Sequence, residues 1–189
     1  IHQKSDNHTV PLLYKKWMKS WSRFHPKWQY WFWTNEDIHD LISTRYPDFR
    51  HIFLNYKKNI QRSDVFRYFA LREFGGVYAD LDIECLKPLD DIISEHDCII
   101  SQEPVIHRVG DERLTDIEHF ASNALMASRP RHPFWDYLID FIMKGYRPYK
   151  EDPITSTGPV AIAQAYHEYA NLQRRYFRKS NSNEYEKVD

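Results

Sequence analysis

The stretch Asp64-Val65-Phe66-Arg67-Tyr68-Phe69-Ala70-Leu71-Arg72-Glu73-Phe74-Gly75-Gly76-Val77-Tyr78-Ala79-Asp80-Leu81-Asp82 restricts the possible folds more than any other. Ile60–Phe74 carries apolar residues at helical positions, and Gly75-Gly76 is a stop signal for that helix. Val77–Asp80 then reads as a strand and Ile83–Leu86 as another, so a helix must fold back on the strand that follows it. Asp80 and Asp82 fall at the junction. In an extended segment side chains alternate faces, which would point both carboxylates the same way. Like charges held side by side repel unless a positive charge sits between them. A hard divalent cation, Mn²⁺ or Mg²⁺, suits such oxygen donors, and two protein carboxylates leave coordination positions for a diphosphate. The bland reading, two aspartates capping a turn, is common for an isolated Asp-x-Asp.

Strand and helix signals alternate along the remaining chain. Ile1-His2-Gln3 reads as part of a first strand. Leu12, Leu13, Trp17 and Trp21 recur at helical spacing between Pro11 and Phe24, and Trp28–Thr34 is an aromatic run suited to a buried strand. Asn35-Glu36-Asp37 can cap a helix that ends before Pro47, and a short helix follows to Tyr56. Cys98–Gln102 and Ala124–Ala127 read as strands, with a charged surface loop from Glu103 to His119 between them. His132–Lys144 is a helix with Pro133 in its first turn, Pro148–Pro153 a loop, and Thr157-Gly158-Pro159 opens a last helix through Tyr169. This order predicts an α/β sandwich with a mostly parallel sheet. It predicts one domain over residues 1–173 and a polar, fraying tail over 174–189.

Composition excludes several classes. Twenty-six basic residues against 27 acidic ones give a net charge of −1, which offers no footprint for nucleic acid. No apolar run reaches the ~18 residues of a membrane span. The chain opens on Ile1 inside an apparent strand, so it reads as a piece of a longer protein. The ten His form no HExxH-type motif, although His107 and His119 could serve a metal-dependent hydrolase as base. Cys85 and Cys98 lie outside any CxxC pair; a disulfide and two free thiols both fit them. Asn7-His8-Thr9 is a glycosylation sequon. Trp135 suits the core, while Tyr146 and Tyr149 could face either the core or an acceptor.

Asp64 and Arg67, three residues apart on one helical face, can form either a plain ion pair or a sugar- and phosphate-binding pair. Ser63-Asp64-Val65-Phe66-Arg67-Tyr68 followed by Gly75-Gly76-Val77-Tyr78-Ala79-Asp80-Leu81-Asp82 resembles the DXD-containing glycosyltransferases of family 32. These include the inositol phosphoceramide mannosyltransferases and an α-1,4-galactosyltransferase. Ile1-His2-Gln3, the Trp31–Asn35 run, Asn123, His132-Pro133-Phe134 and Thr157-Gly158-Pro159 extend the resemblance over residues 1–165. It implies a GT-A fold, Rossmann-like in its nucleotide-binding half. The reaction it implies is retaining transfer of a hexose from a nucleotide sugar, GDP-mannose first and UDP-galactose second, to a glycolipid or glycan hydroxyl. Front-face displacement would serve that outcome, without a covalent nucleophile. A non-catalytic carbohydrate- or nucleotide-binding module is the alternative.

By the same resemblance Asp64, Arg67, Asp80 and Asp82 are the catalytic set. Asp82, with Asp80 partly through water, binds Mn²⁺ or Mg²⁺. His2, Gln3, Trp33, Asp64, Arg67, Tyr78, Asp80, Asn123, Thr157 and Gly158 contact the donor. Ser5 stands where related toxins have a base-stacking Trp, which transfers that role to Trp33. The chain is expected to stop before a C-terminal metal-ligating element, with only His167 available beyond Thr157. A Golgi or other secretory lumen is implied, with membrane association through a segment outside this chain.

Overall fold

The computed structural model describes residues 1–6, 9–104, 120–147 and 152–185, with side chains described only through Arg174 in the final helix. Its elements run β1 (His2–Lys4), α1 (Leu12–Phe24), β2 (Trp31–Trp33), α2 (Asn35–Arg45), α3 (Pro47–Asn55), α4 (Asn59–Phe74), β3 (Gly76–Ala79), α5 (Asp90–Glu95), β4 (Cys98–Gln102), β5 (Ala121–Ser128), α6 (Pro133–Gly145), α7 (Pro153–Ser156) and α8 (Pro159–Tyr185). The expected loops over Glu103–His119 and Pro148–Pro153 fall largely outside the described residues, as do His107, His119, Tyr149 and the sequon at Asn7.

The sheet has the order β2-β1-β3-β5-β4. β1 pairs in parallel with both β2 and β3, while β5 is antiparallel to both of its neighbours, β3 and β4. Four strands therefore share one direction and β5 alone is reversed. Helices cover both faces, as a sandwich requires. On β3 the alternation is clean: Tyr78 packs into the larger core with α2, α3, α4, α6 and α8, and Val77 and Ala79 into a smaller one with Trp21 of α1. α4 lies at the centre of the larger core, with Ser63 through Leu71 all buried.

Local chemistry explains most boundaries. Thr34, one residue before the expected cap, closes a capping box on α2: its Oγ1 accepts from the Asp37 amide at 3.3 Å, and its own amide donates to Asp37 Oδ2 at 2.8 Å. Pro47 and Pro133 sit at the first turns of α3 and α6. α8 runs past Tyr169 to Tyr185, because nothing after Pro159 in that span is Gly or Pro.

Two expectations are corrected. Ile83–Leu86 is not a strand. Its backbone groups bond to side chains of α1 instead: Trp21 Nε1 donates to the Ile83 carbonyl at 2.9 Å, and the Cys85 amide donates to Ser20 Oγ at 2.8 Å. Leu12 and Leu13 do not share a buried face with Trp21. Trp21 is 1% exposed but Leu12 is 83% exposed, since nine residues make about two and a half turns and place the two on opposite sides. The cysteines are free thiols, Cys85 buried and Cys98 half-buried.

Both glycines that end α4 have positive φ, Gly75 at 66° and Gly76 at 85°. They differ in space. A Cβ on Gly75 would sit 2.6 Å from the Pro130 ring and backbone nitrogen, whereas one on Gly76 meets nothing nearer than His2 Nε2 at 3.6 Å. Gly75→Ala is therefore expected to lower unfolding free energy by more than about 3 kcal/mol, and Gly76→Ala by about 1–2 kcal/mol. Urea titrations of the two variants would separate these.

His2 is buried, and that burial pushes its pKa down to about 4, against a hydrogen bond to the Gly75 carbonyl. A histidine depressed in the folded state favours folding above its unfolded pKa of 6.5, and that stability is lost as pH falls towards 4. Unfolding free energy is expected to drop by about 2 kcal/mol between neutral pH and pH ~5, and His2→Phe should remove most of that dependence.

Candidate functional site

The C-terminal ends of β1 and β3 and the N-terminal end of α4 converge on one side of the sheet. The cleft they enclose, about 330 Å³, is lined by Lys4, Asp6, Tyr14, Asn59, Ile60, Ser63, Arg67, Tyr78, Asp80, Leu81 and Asp82. Strand carboxyl ends and a helix amino end are where parallel sheets bind anionic ligands, because the amide groups there have no partner within their own element. A larger groove of about 670 Å³ runs along the outer strand β4 and includes none of the residues expected from sequence to bind donor or metal.

Asp80 and Asp82 flank a turn, not a strand. The Ile83 amide donates to the Asp80 carbonyl at 3.1 Å, closing Asp80–Ile83, and Gln3 Nε2 donates to the same carbonyl at 3.1 Å. Strand alternation therefore does not align the two carboxylates; the turn brings both to the cleft. Their environments differ sharply. Asp80 Oδ1 accepts from the Tyr78 hydroxyl at 2.9 Å, and Asp80 Oδ2 pairs with Arg67 Nη1 at 3.2 Å. Asp82 is exposed and has no hydrogen-bond or ion-pair partner among the described residues.

Arg67 is the hub. Its side chain is only 4% exposed, and it pairs with Asp80, with Asp64 Oδ1 at 3.2 Å, and with the Asn123 carbonyl of β5 at 2.6 Å. Its guanidinium also lies over the Tyr78 ring, 4.9 Å from the centroid. With this many acceptors, its pKa is driven further up despite burial. The positive charge next to Asp80 is thus Arg67, so carboxylate repulsion does not by itself call for a metal.

Asp64 is buried, and burial pushes its pKa up to about 6, offset by Arg67 and by donors on two other elements. Thr157 Oγ1 donates to Asp64 Oδ2 at 3.0 Å, and Asn123 Nδ2 donates to Asp64 Oδ1 at 3.1 Å. Gly158 belongs here for a steric reason: a Cβ on it would lie 3.3 Å from Asp64 Oδ2 and 3.0 Å from the Pro153 carbonyl.

Seven of the residues singled out from sequence therefore meet in one network: Asp64, Arg67, Tyr78, Asp80, Asn123, Thr157 and, through backbone, Gln3. Gly158 abuts it and Asp82 stands at its open side. His2 and Trp33 do not join them. Trp33 Nε1 donates to His2 Nδ1 at 3.2 Å, His2 Nε2 bonds the Gly75 carbonyl at 2.9 Å, and both rings pack with Phe74 in the interior. Neither lines the cleft. His167 lies exposed on α8. Trp135 is fully buried, its Nε1 donating to Ser128 Oγ at 2.8 Å, and Tyr146 packs edge-on against Tyr56.

Two residues escaped the sequence reading. Tyr68 donates to the Thr157 carbonyl at 2.8 Å and accepts from Asn123 Nδ2 at 3.1 Å; four residues past Asp64, it shares that residue's helical face. Lys4, whose side chain is 8% exposed, bonds Ser63 Oγ at 2.7 Å and pairs with Asp6 inside the cleft. No motif marks it, because β1 is short and its neighbours are distant in sequence.

Among the described residues no three His, Cys, Asp or Glu side chains converge to hold a metal. A divalent cation fits the donor chemistry through Asp82, whose oxygens are free and hard, with Asp80 contributing beside it.

Fold and site together define an α/β domain with an acidic turn at the carboxyl ends of parallel strands. Residues 11–99 match the family described as the glycosyltransferase sugar-binding region containing DXD motif. Over those residues the chain carries a DXD-containing glycosyltransferase region. It is 33% identical over 176 residues to inositol phosphoceramide mannosyltransferase 1 of Schizosaccharomyces pombe, covering 89% of this chain and 51% of that protein. It is 32% identical over 173 residues to a mannosyl phosphorylinositol ceramide synthase of Saccharomyces cerevisiae, covering 89% of this chain and 41% of that protein. The chain thus spans about half the length of the curated relatives it matches. Among solved structures, the PaToxG glycosyltransferase superimposes with a TM-score of 0.60 at 14% identity, over 96% of this chain and 72% of that one. That likeness shows a shared GT-A-type fold.

Replacing Arg67 by Met would leave Asp64 and Asp80 buried or half-buried without their cation. It is expected to cost about 3–5 kcal/mol in urea unfolding, whereas Asp82→Asn, at an exposed and unpaired position, should shift stability by less than about 0.5 kcal/mol.

Proposed function

We propose that this domain transfers a hexose from a nucleotide sugar to a glycolipid hydroxyl, with GDP-mannose as the favoured donor and UDP-galactose as the second candidate. The observation that carries the proposal is the division of labour at the acidic turn. Asp80 is locked in place by Arg67 and Tyr78, while Asp82, at the open side of the cleft, has no partner among the described residues. A purely structural turn has no use for a buried arginine joining it to α4 and β5. The relatives named above, mannosyltransferases of inositol phosphoceramide, favour mannose and a glycolipid over a glycan acceptor.

Asp82, assisted by Asp80, would hold Mn²⁺ or Mg²⁺, which when bound neutralises the charge that grows on the departing diphosphate. The chain's own residues do the positioning. Asp64, a buried carboxylate held by Arg67, Asn123 and Thr157 and set behind the cleft lining, anchors the Arg67 guanidinium that positions Asp80. That web of donors argues against Asp64 as a covalent nucleophile, since both oxygens are already engaged. Retention of configuration by front-face displacement fits a site with no unengaged buried carboxylate among the described residues. Arg67, enclosed by its acceptors, acts by orienting Asp64 and Asp80 instead of touching phosphate. The amino end of α4 at Asn59 faces the cleft and suits a diphosphate, to which Lys4 becomes available only by leaving Asp6. A secretory compartment such as the Golgi is the setting proposed for the parent protein.

Incubation with Mn²⁺ and a panel of nucleotide sugars should release nucleoside diphosphate from GDP-mannose fastest. Asp82→Asn is expected to lower that release about 100-fold or more while leaving the unfolding midpoint in place. Nucleotide binding with no release from any donor, by the wild-type protein, would assign the domain to binding and overturn catalysis.

A further inference from the structure

α1 carries an outer face that neither the core nor the cleft uses. Leu12, Lys16, Lys19 and Arg23 follow at spacings of four, three and four, which places them on one side of the helix, opposite the buried Trp21; Lys15 flanks them. All five are exposed. α1 contains no acidic residue in its thirteen positions, although the whole chain has a net charge of −1. No carboxylate lies within ion-pair distance of Lys15, Lys16, Lys19 or Arg23 among the described residues. The positive charge is therefore concentrated on this face and, among the described residues, uncompensated.

The apolar end of the face is the end at the cleft. Leu12 is 83% exposed and Leu13 56%, and Tyr14, next in the chain, lines the cleft. On the other side of the cleft the pattern recurs independently: Lys57 and Lys58 are exposed, and Ile60, 50% exposed, lines the mouth at the start of α4. Exposed leucine and isoleucine beside uncompensated lysines suit neither a nucleic acid nor plain solvent. They suit the surface of an anionic bilayer, where lysines meet phosphate-bearing headgroups and short apolar side chains enter the interface.

We propose that the outer face of α1, together with Lys57, Lys58 and Ile60, docks this domain on a membrane surface rich in anionic lipid, with the cleft mouth at the headgroup level. This rests on the reading of the acceptor as a glycolipid. It deepens that reading by assigning part of the membrane contact to the catalytic domain itself, independently of any anchor elsewhere in the parent protein. The geometry supplies a reason for it: an acceptor hydroxyl on a lipid headgroup reaches the cleft only if the mouth lies at the interface.

The test is partition of the chain onto vesicles of phosphatidylcholine alone and of phosphatidylcholine with phosphatidylinositol. The wild-type protein should bind the second preferentially and lose that preference as salt is raised. Each lysine near an anionic surface contributes about fivefold to binding, so Lys15→Gln, Lys16→Gln and Lys19→Gln together should lower the partition coefficient about 100-fold. Leu12→Asn with Leu13→Asn should weaken binding while keeping its salt dependence. All these positions are exposed, so unchanged circular dichroism and diphosphate release in vesicle-free solution are expected. Equal wild-type partition onto both vesicles, or full binding by the lysine variant, overturns the inference. Failure of diphosphate release by the wild-type protein overturns the catalytic reading instead, so the two failures are told apart.

Discussion

The buried Arg67 guanidinium holds the site together. It joins α4, which carries it, to the turn after β3 through Asp80 and to β5 through the Asn123 carbonyl. Asp64, one helical turn earlier, extends the same web to Thr157 at the entrance of α8. Four segments far apart in the chain are thereby fixed around one cation. A charge this buried is tolerated only because its acceptors are fully arranged, which is the sense in which the site and the fold are one construction. The network also explains why α4 is buried nearly all round: the helix is the spine of the domain, and its polar residues face inward only where partners await them.

This arrangement changes the logic of the acidic pair. Two neighbouring carboxylates suggest a bound cation because something must offset their repulsion. Here the offset for Asp80 is a guanidinium and a tyrosine hydroxyl, both supplied by the protein. Asp82 is left with free oxygens at the mouth. One carboxylate is held rigid and the other is available, a division better suited to recognising a ligand than two equivalent free groups would be.

The cleft draws on the general properties of a sheet with parallel strands. β1 and β3 end side by side, α4 begins next to them, and the reversed strand β5 closes the far side by lending its Asn123. Segregation of charge extends beyond the cleft to α1, whose lysines face away from the sheet while its tryptophan fills the space beneath. The chain's near-neutral total conceals this, since a net charge carries no information about where the charges lie.

Reading the chain without coordinates recovers the helices from α1 to α4 and α6 nearly to the residue, because caps, prolines and the Gly75-Gly76 stop are local signals. It also recovers the α/β layering and most of the residues that meet around Arg67, since motif order constrains them. Ile83–Leu86 deceived it: short apolar alternation looks like a strand, but α1 side chains took up its hydrogen bonds. His2 and Trp33 likewise bracket the sheet end in sequence, yet pack inward with Phe74. Local signals within a few residues set most of the helices and the acidic pair, though not that the pair sits in a turn. The fold itself settled that Arg67 neutralises Asp80, that Asp82 has no partner among the described residues, and that Lys4 faces the cleft, because these arrangements join side chains from separate elements of the chain.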